Sequence, residues 1–282
     1  MNNQENVTYF EARKWASFRI KESNDIDMYD VDFLLEKLFK MSAADLLIHY
    51  HTQMPVKQWR VFQDAIGQLL KGVPPQYVVG EADFYGLSLK VTPAVLIPRV
   101  ETEELVDWIL ADNSDSKLKV LDIGTGSGAI AIALKHARPH WQVFASDISL
   151  PAIKVARQNA IANHTAIHFM VSDVFAAIDE SFDVIVSNPP YIAKDEQSYM
   201  DASVIKSEPD LALYAKDQGL AIYKQIAADA ESHLTSKGRL YLEIGFQQQS
   251  AVTEIFQAAM PDAQVIAKHD VSGHQRMIQV KK

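Results

Sequence analysis

From Lys117 onward one pattern repeats: a short apolar run, then a longer amphipathic stretch. The runs are LKVLDIG (118–124), WQVFASD (141–147), AIHFMVSD (166–173), FDVIVSN (182–188), GRLYLEIG (238–245), AQVIAKHD (263–270) and QRMIQV (275–280). Helical patterns fill most of the gaps, at Ser127–Ala137, Leu150–Ala162, Gln218–Leu234 and Gln247–Ala259. Few architectures accept that alternation. It predicts an α/β fold built on a doubly wound, seven-stranded, mostly parallel sheet with helices on both faces. The last two runs leave no room for a crossover helix, so they are expected to pair antiparallel.

The first 72 residues read differently. Phe33, Leu34, Leu35, Leu38 and Phe39, then Leu46 and Leu47, then Trp59, Val61, Phe62, Ile66, Leu69 and Leu70 recur at helical spacing. Ser42 is an expected N-cap, with Asp45 in the capping-box position. Gly72 and Pro74-Pro75 punctuate the pattern. YVVGEADFYGLSLKV (77–91) alternates about a Tyr-Gly turn and reads as a hairpin. The expected division is a small helical domain over 1–75, a hairpin linker over 76–97 and the sheet domain over 98–282.

A chain of 282 residues without cysteine has no disulfides, thiol nucleophiles or cysteine-bound metals. The start MNNQENVTYFEARKW lacks the basic and apolar parts of a signal peptide, and no apolar run has membrane-spanning length. A cytoplasmic protein is expected, with no membrane partner. The net charge of −9 argues against stable nucleic acid binding, which usually draws on Lys and Arg. His49 and His51 point to different faces of a helix, and Pro139 separates His136 from His140, so no metal site is expected.

VLDIGTGSGAI (120–130) sets Gly124, Gly126 and Gly128, with Thr125 and Ser127 between them, where the first strand of the series meets a helix. Glycine there permits positive φ and close approach of a ligand, and the helix start offers free N–H groups. Asp147 ends the next strand, where a carboxylate can accept from two ribose hydroxyls. Asp173, one strand further, can accept from an adenine amino group, with Val174 and Phe175 lining the ring. This describes a site for an adenosine-containing ligand. Gly124, Gly126 and Ala129 also satisfy the relaxed dinucleotide fingerprint, so this corner leaves both a nicotinamide cofactor and S-adenosylmethionine open.

SNPPYI (187–192) follows the fourth strand of the series, beside the first at the point where strand order reverses. The glycine corner and Asn188-Pro189-Pro190-Tyr191 should therefore share one crevice. The prolines lack N–H groups and stiffen the turn. The Asn188 side-chain oxygen and the Pro189 carbonyl can then accept the two hydrogens of an –NH2 group. Tyr191 would offer a ring face to a planar target group. Such a clamp aims a nitrogen lone pair at an electrophilic methyl group.

NPPY with DIGTGSG resembles the amino-methyltransferases, which act on –NH2 groups of nucleic acid bases or of protein glutamine. LIPRVETEELVDW (96–108), EPDLALYAKDQGLAIY (208–223), YLEIGFQQ (241–248) and DVSGHQRMI (270–278) narrow the match. With the helical N-terminus and the hairpin, they resemble the HemK-type release factor glutamine methyltransferases over nearly the whole chain. That resemblance implies methyl transfer from S-adenosylmethionine, leaving S-adenosylhomocysteine, to the glutamine of the Gly-Gly-Gln loop in class-one peptide chain release factors. It implies that Gly124 to Gly128, Asp147 and Val174 hold the donor, with Asn188 at its edge. Asn188 through Tyr191 would grip the glutamine, with Asn188, Pro189 and Tyr191 at the reacting centre. A monomer is expected. Val100 stands where the family usually has proline or a similar small turn residue after Pro98-Arg99, and Val174 stands where some members carry tryptophan.

A nucleic acid amino-methyltransferase would use the same clamp and stays open at this point. Arg99, Thr102 and Glu103 read equally as helix-start chemistry or as part of the donor site. Glu208-Pro209 and Asp217 read as loop structure.

Overall fold

The structure, a computed structural model, describes residues 7–23, 25–113, 117–194 and 202–282. They form two compact units. One contains the described residues up to Gly80 together with 202–207, and the other contains Glu81 to Lys194 and Glu208 to Lys282.

The first unit begins with α1 (Tyr9–Ile20), α2 (Met28–Phe39), α3 (Ala43–Ile48), α4 (Val56–Leu69) and α5 (Pro75–Val79). Capping boxes start three of these helices, from Thr8 to Glu11, Asp27 to Asp30 and Ser42 to Asp45. Each satisfies free N–H groups that would otherwise cost about 1 kcal/mol. Leu34, Leu35, Phe62, Ile66 and Leu69 close a core of their own, with Trp15 packed edge-on against Trp59 at 4.9 Å. Tyr77–Val79, expected to begin the hairpin, lie instead in α5. Pro75 presets the first helical φ, and Gly80, at φ +81°, ends the helix.

The hairpin, which belongs to the second unit, is β1 (Glu81–Phe84) and β2 (Leu87–Lys90). Tyr85 and Gly86 both have positive φ, the two-residue turn that matches strand twist. Next come α6 (Val100–Asp112), β3 (Lys119–Ile123), α7 (Ala129–Ala137), β4 (Gln142–Asp147), α8 (Leu150–Ala162), β5 (Ile167–Val171) and β6 (Phe182–Ser187). After α9 (Ala202–Ser207), part of the first unit, the chain continues through α10 (Asp210–Leu213), α11 (Ala221–His233), β7 (Leu234–Glu243), α12 (Gln249–Ala259), β8 (Gln264–His269) and β9 (Gln275–Lys281).

The main sheet has seven strands in the order β5-β4-β3-β6-β7-β9-β8. The first five in that order pair parallel, and β9 pairs antiparallel with both β7 and β8. The predicted α/β sheet is therefore present, with the final antiparallel pair. Alternation along each strand feeds two cores. Val120, Val143, Val184 and Val186 face one, and Leu121, Ile123, Ile185 and Leu242 face the other. β7 starts at Leu234, four residues before the run read from the sequence. Its early part is polar, and Phe182 pairs with Leu234 across a register shift that no alternation would reveal.

The order places β3 beside β6. The chain winds outward from β3 through β4 and β5, then returns to β6. The carboxyl ends of β3 and β6 thus flank the topological switch point, where α/β sheets bind ligands.

Candidate active site

A cavity of about 210 Å³ opens at that point. Gly124, Thr125, Gly126, Ser127, Asp147, Asp173, Val174, Asn188, Pro189 and Pro190 line it, so the fold unites ten residues singled out from the sequence. Gly128 and Tyr191 do not line it. Gly128 is the N-cap of α7 at φ +85°, and a side chain there would meet Ile132 and Ala156 at 3.0 and 3.2 Å. Its smallness serves helix packing.

Gly124 and Gly126 have φ of +71° and +55°, and nothing lies within 4 Å of where a Cβ would project. The corner is held from beneath. Thr125 donates its main-chain N–H to the Ser146 carbonyl at 2.9 Å and its hydroxyl to Asp122 Oδ2 at 2.6 Å. Asp122 is fully buried, its Oδ2 also accepts the Ala131 N–H at 3.2 Å, and burial pushes its carboxyl up to about 7.

Asp147 receives one main-chain N–H on each oxygen: Gly126 at 2.9 Å on Oδ2 and Ser149 at 2.8 Å on Oδ1. Burial raises its pKa, and these two donors work against that rise. The carboxylate is fixed in plane with acceptor capacity left on both oxygens, the arrangement that grips two adjacent hydroxyls. Val174 adopts φ +47°, a left-handed conformation that is unusual for a β-branched residue and costs about 1–2 kcal/mol. Ser172 holds it there. Its hydroxyl donates to the Val174 carbonyl at 2.9 Å and accepts the Ala177 N–H at 3.0 Å.

The Asn188 amide is held by a chain of hydrogen bonds. Its Nδ2 donates to Thr102 Oγ1 at 3.1 Å, and the Thr102 hydroxyl donates to Glu243 Oε2 at 2.6 Å. Glu243 ends β7, the strand next to β6, and is buried. Burial pushes its carboxyl up to about 7, opposed by the Thr102 hydroxyl, Arg276 and the Asn188 amide. The corner is also tied through its main chain. Gln248 Nε2 donates to the Tyr191 carbonyl at 2.8 Å, while its Oε1 accepts the Gly245 N–H at 3.1 Å. The Tyr191 ring packs against the core cluster that holds Ile123 and Tyr223, and burial, then Glu243, pushes its hydroxyl up to about 12.

Glu208 is more than loop structure. Its buried carboxylate accepts from Arg99 Nη2 at 2.6 Å, and Arg99 lines the cavity with Pro209 and Leu211. Thr102 also lines it, whereas Glu103 accepts the Tyr85 main-chain N–H at 2.7 Å and braces the hairpin. The sequence reading gave no role to Glu243 or Gln248. One signal was available for Glu243: a lone acid at the carboxyl end of a strand next to the one carrying Asn188 must border the same crevice.

Residues 102–212 match the methyltransferase small domain family, and residues 11–80 match the PrmC N-terminal domain family. The chain is 49% identical over 255 residues to a release factor glutamine methyltransferase of Lactococcus lactis subsp. lactis (strain IL1403), covering 90% of this chain and 94% of that one. The chain belongs to the release factor glutamine methyltransferases. A second release factor glutamine methyltransferase, from Streptococcus pneumoniae (strain ATCC BAA-255 / R6), is 45% identical over 251 residues, 89% of this chain and 90% of that one. Among solved structures, a methyltransferase from Pyrococcus furiosus shares the fold with a TM-score of 0.55. It is 17% identical, and the match covers 78% of this chain and 98% of that one. Among the described residues no helix is long and apolar enough to cross a membrane.

Proposed function

We propose that this protein transfers a methyl group from S-adenosylmethionine to the side-chain amide nitrogen of the glutamine in the Gly-Gly-Gln motif of class-one peptide chain release factors. Membership of the family supports the substrate. The observation that carries the chemistry is the Asn188 amide, anchored through its –NH2 so that its oxygen is free for the cavity.

The residues present suit the donor. Asp147 offers acceptors to two ribose hydroxyls, and Asp173 and Val174 offer an acceptor and an apolar surface to adenine. The open space above Gly124 and Gly126 admits a ligand close to the backbone. When bound, S-adenosylmethionine supplies an electrophilic methyl group on a sulfonium. Asn188 Oδ1 and the Pro189 carbonyl accept the two hydrogens of the glutamine –NH2 and aim its lone pair. An amide nitrogen is weakly nucleophilic because its lone pair is delocalised, so orientation is the main contribution, worth roughly 7–11 kcal/mol at best. Both acceptors bind the nitrogen more strongly as it becomes cationic, which adds stabilisation specific to the transition state, and the surplus proton is then lost to water. Tyr191, whose ring does not line the cavity, is assigned to anchoring the corner.

The same reading assigns the helical unit, which runs to Gly80 rather than to residue 75, to docking the release factor, and the sheet unit with its hairpin to catalysis. It places a monomeric enzyme in the cytoplasm, without a stable nucleic acid partner. The test is methyl transfer from labelled S-adenosylmethionine to a purified release factor, beside the same factor with alanine in place of the Gly-Gly-Gln glutamine. Label in the first alone is expected. Label in both, or in neither while RNA or DNA is labelled, would refute the assignment.

A further inference from the structure

We propose that Thr102 and Glu243 are positioning residues for methyl transfer, and that they decide which atom of the Asn188 amide faces the target nitrogen. The proposal rests on the clamp reading above and extends it to residues that need not touch the substrate.

The two ends of an amide are nearly identical in shape, so only their hydrogen bonds decide which one is presented. Glu243, as a carboxylate, can only accept. The single hydroxyl proton of Thr102 is committed to Glu243 Oε2 at 2.6 Å. What remains on Thr102 Oγ1 is acceptor capacity, and Asn188 Nδ2 uses it at 3.1 Å. The chain of donors runs one way, from Asn188 to Thr102 to Glu243, and the Asn188 amide also hydrogen-bonds Glu243 directly. These contacts occupy the Asn188 –NH2, and Oδ1 is left for the substrate.

Protonation of Glu243 permits the opposite direction. A carboxylic acid can donate to Thr102 Oγ1, whose hydroxyl then turns toward Asn188 and favours the oxygen there. The amide would present –NH2 to the substrate –NH2, and two donors cannot clamp one another. The polarity of the chain therefore depends on the charge of Glu243. Arg276 on β9 favours the carboxylate, while Glu101 on α6 opposes it. The hydroxyls of Tyr191 and Tyr223 face the same space, and Tyr223 donates to the Glu243 main-chain carbonyl at 2.9 Å. Burial draws the transition to about 7. The anionic form is the competent one, so kcat should rise as pH passes upward through that value.

The experiment compares Thr102→Val, Thr102→Ser, Glu243→Gln and Asn188→Ala in the full-length enzyme. It reads kcat and KM on an intact release factor from about pH 6 to pH 8.5, with donor affinity by calorimetry. Thr102→Val keeps the shape and loses the hydroxyl. Its kcat should fall about tenfold or more, with donor affinity within about twofold of wild type. Thr102→Ser should recover most of the loss. Glu243→Gln should lose the rise in kcat near neutrality. Wild-type kcat in Thr102→Val beside an inactive Asn188→Ala would overturn the positioning role and leave the clamp standing. Wild-type kcat in Asn188→Ala would overturn the clamp itself. Should Thr102→Val fail to fold, Glu243→Gln decides, and an unchanged pH profile would overturn the proposal.

Discussion

Replacing Gly219 by alanine should disable the clamp without altering any residue that lines the cavity. Gly219 has φ +81°, and a Cβ there would sit 2.0 Å from the Tyr191 carbonyl oxygen, 2.8 Å from its carbon and 2.6 Å from Gln248 Nε2. Contacts below 3.0 Å essentially never occur, and two of these three atoms are backbone. The Tyr191 peptide must retreat by roughly 1 Å, a misplacement that can cost about a hundredfold in rate. The left-handed φ adds about 1 kcal/mol for alanine, and the Gln248–Tyr191 hydrogen bond is worth about another. A loss of about 2 kcal/mol corresponds to a fall of roughly 4–8 °C in Tm for a chain of this size. Donor affinity should change little, because the glycine corner and Asp147 stand on β3 and β4. The assay is calorimetry with S-adenosylmethionine, thermal melting and turnover on a release factor. Wild-type turnover would refute the claim that the Tyr191 anchor sets clamp geometry.

Asp147→Asn replaces an acceptor that main-chain N–H groups fix on both sides. Donor Kd should rise about 10- to 100-fold by calorimetry, while kcat at saturating donor stays close to wild type. Gly126→Ala should cost only about 1 kcal/mol of stability, since its Cβ meets no protein atom. It should still weaken donor binding by about tenfold or more, because the methyl group takes up ligand space; unchanged affinity would place the donor elsewhere. Asp122 and Glu243 are both held up to about 7 from ordinary values of 3.8 and 4.5. The folded state therefore holds protons that the unfolded chain releases between about pH 4 and pH 7. The stability this confers is complete below the unfolded values and is lost as pH rises through about 7. Tm should fall from about pH 5 to pH 7 and level off above that, and Asp122→Asn should flatten that slope.

The sheet was legible because its central strands β3 and β6 are buried on both faces, and burial writes itself as continuous apolar runs. The polar start of β7 was not, because the register shift opposite Phe182 and Val184 breaks the alternation. α5 went unread for a similar reason: five residues are too few to show a period, and Tyr77-Val78-Val79 favour strand by type. Within the site, Gly124, Asp147 and Asn188 announce themselves as unusual residues at strand ends. Glu243 and Gln248 lie in YLEIGFQQ, a stretch that carries the family resemblance but points to no chemistry by itself, and only strand order brings them to the NPPY corner. Tyr191 does not line the cavity and packs beside the core cluster, and the chain after it is pinned to the end of α10. Ile192 donates its N–H to the Leu213 carbonyl at 3.0 Å, and its own carbonyl accepts the Ala215 N–H at 3.0 Å.

The order β7-β9-β8 has a consequence for how the protein is made. β8 leaves the ribosome before β9, yet β9 lies between it and the rest of the sheet. Until Gln275–Lys281 emerge, β7 ends in an unpaired edge and β8 has nothing to add to. Arg276, the cation that favours the charged form of Glu243, arrives on that same late strand. Glu243 at the end of β7 thus gains the cation that favours its carboxylate only once β9 has been made and has paired beside it.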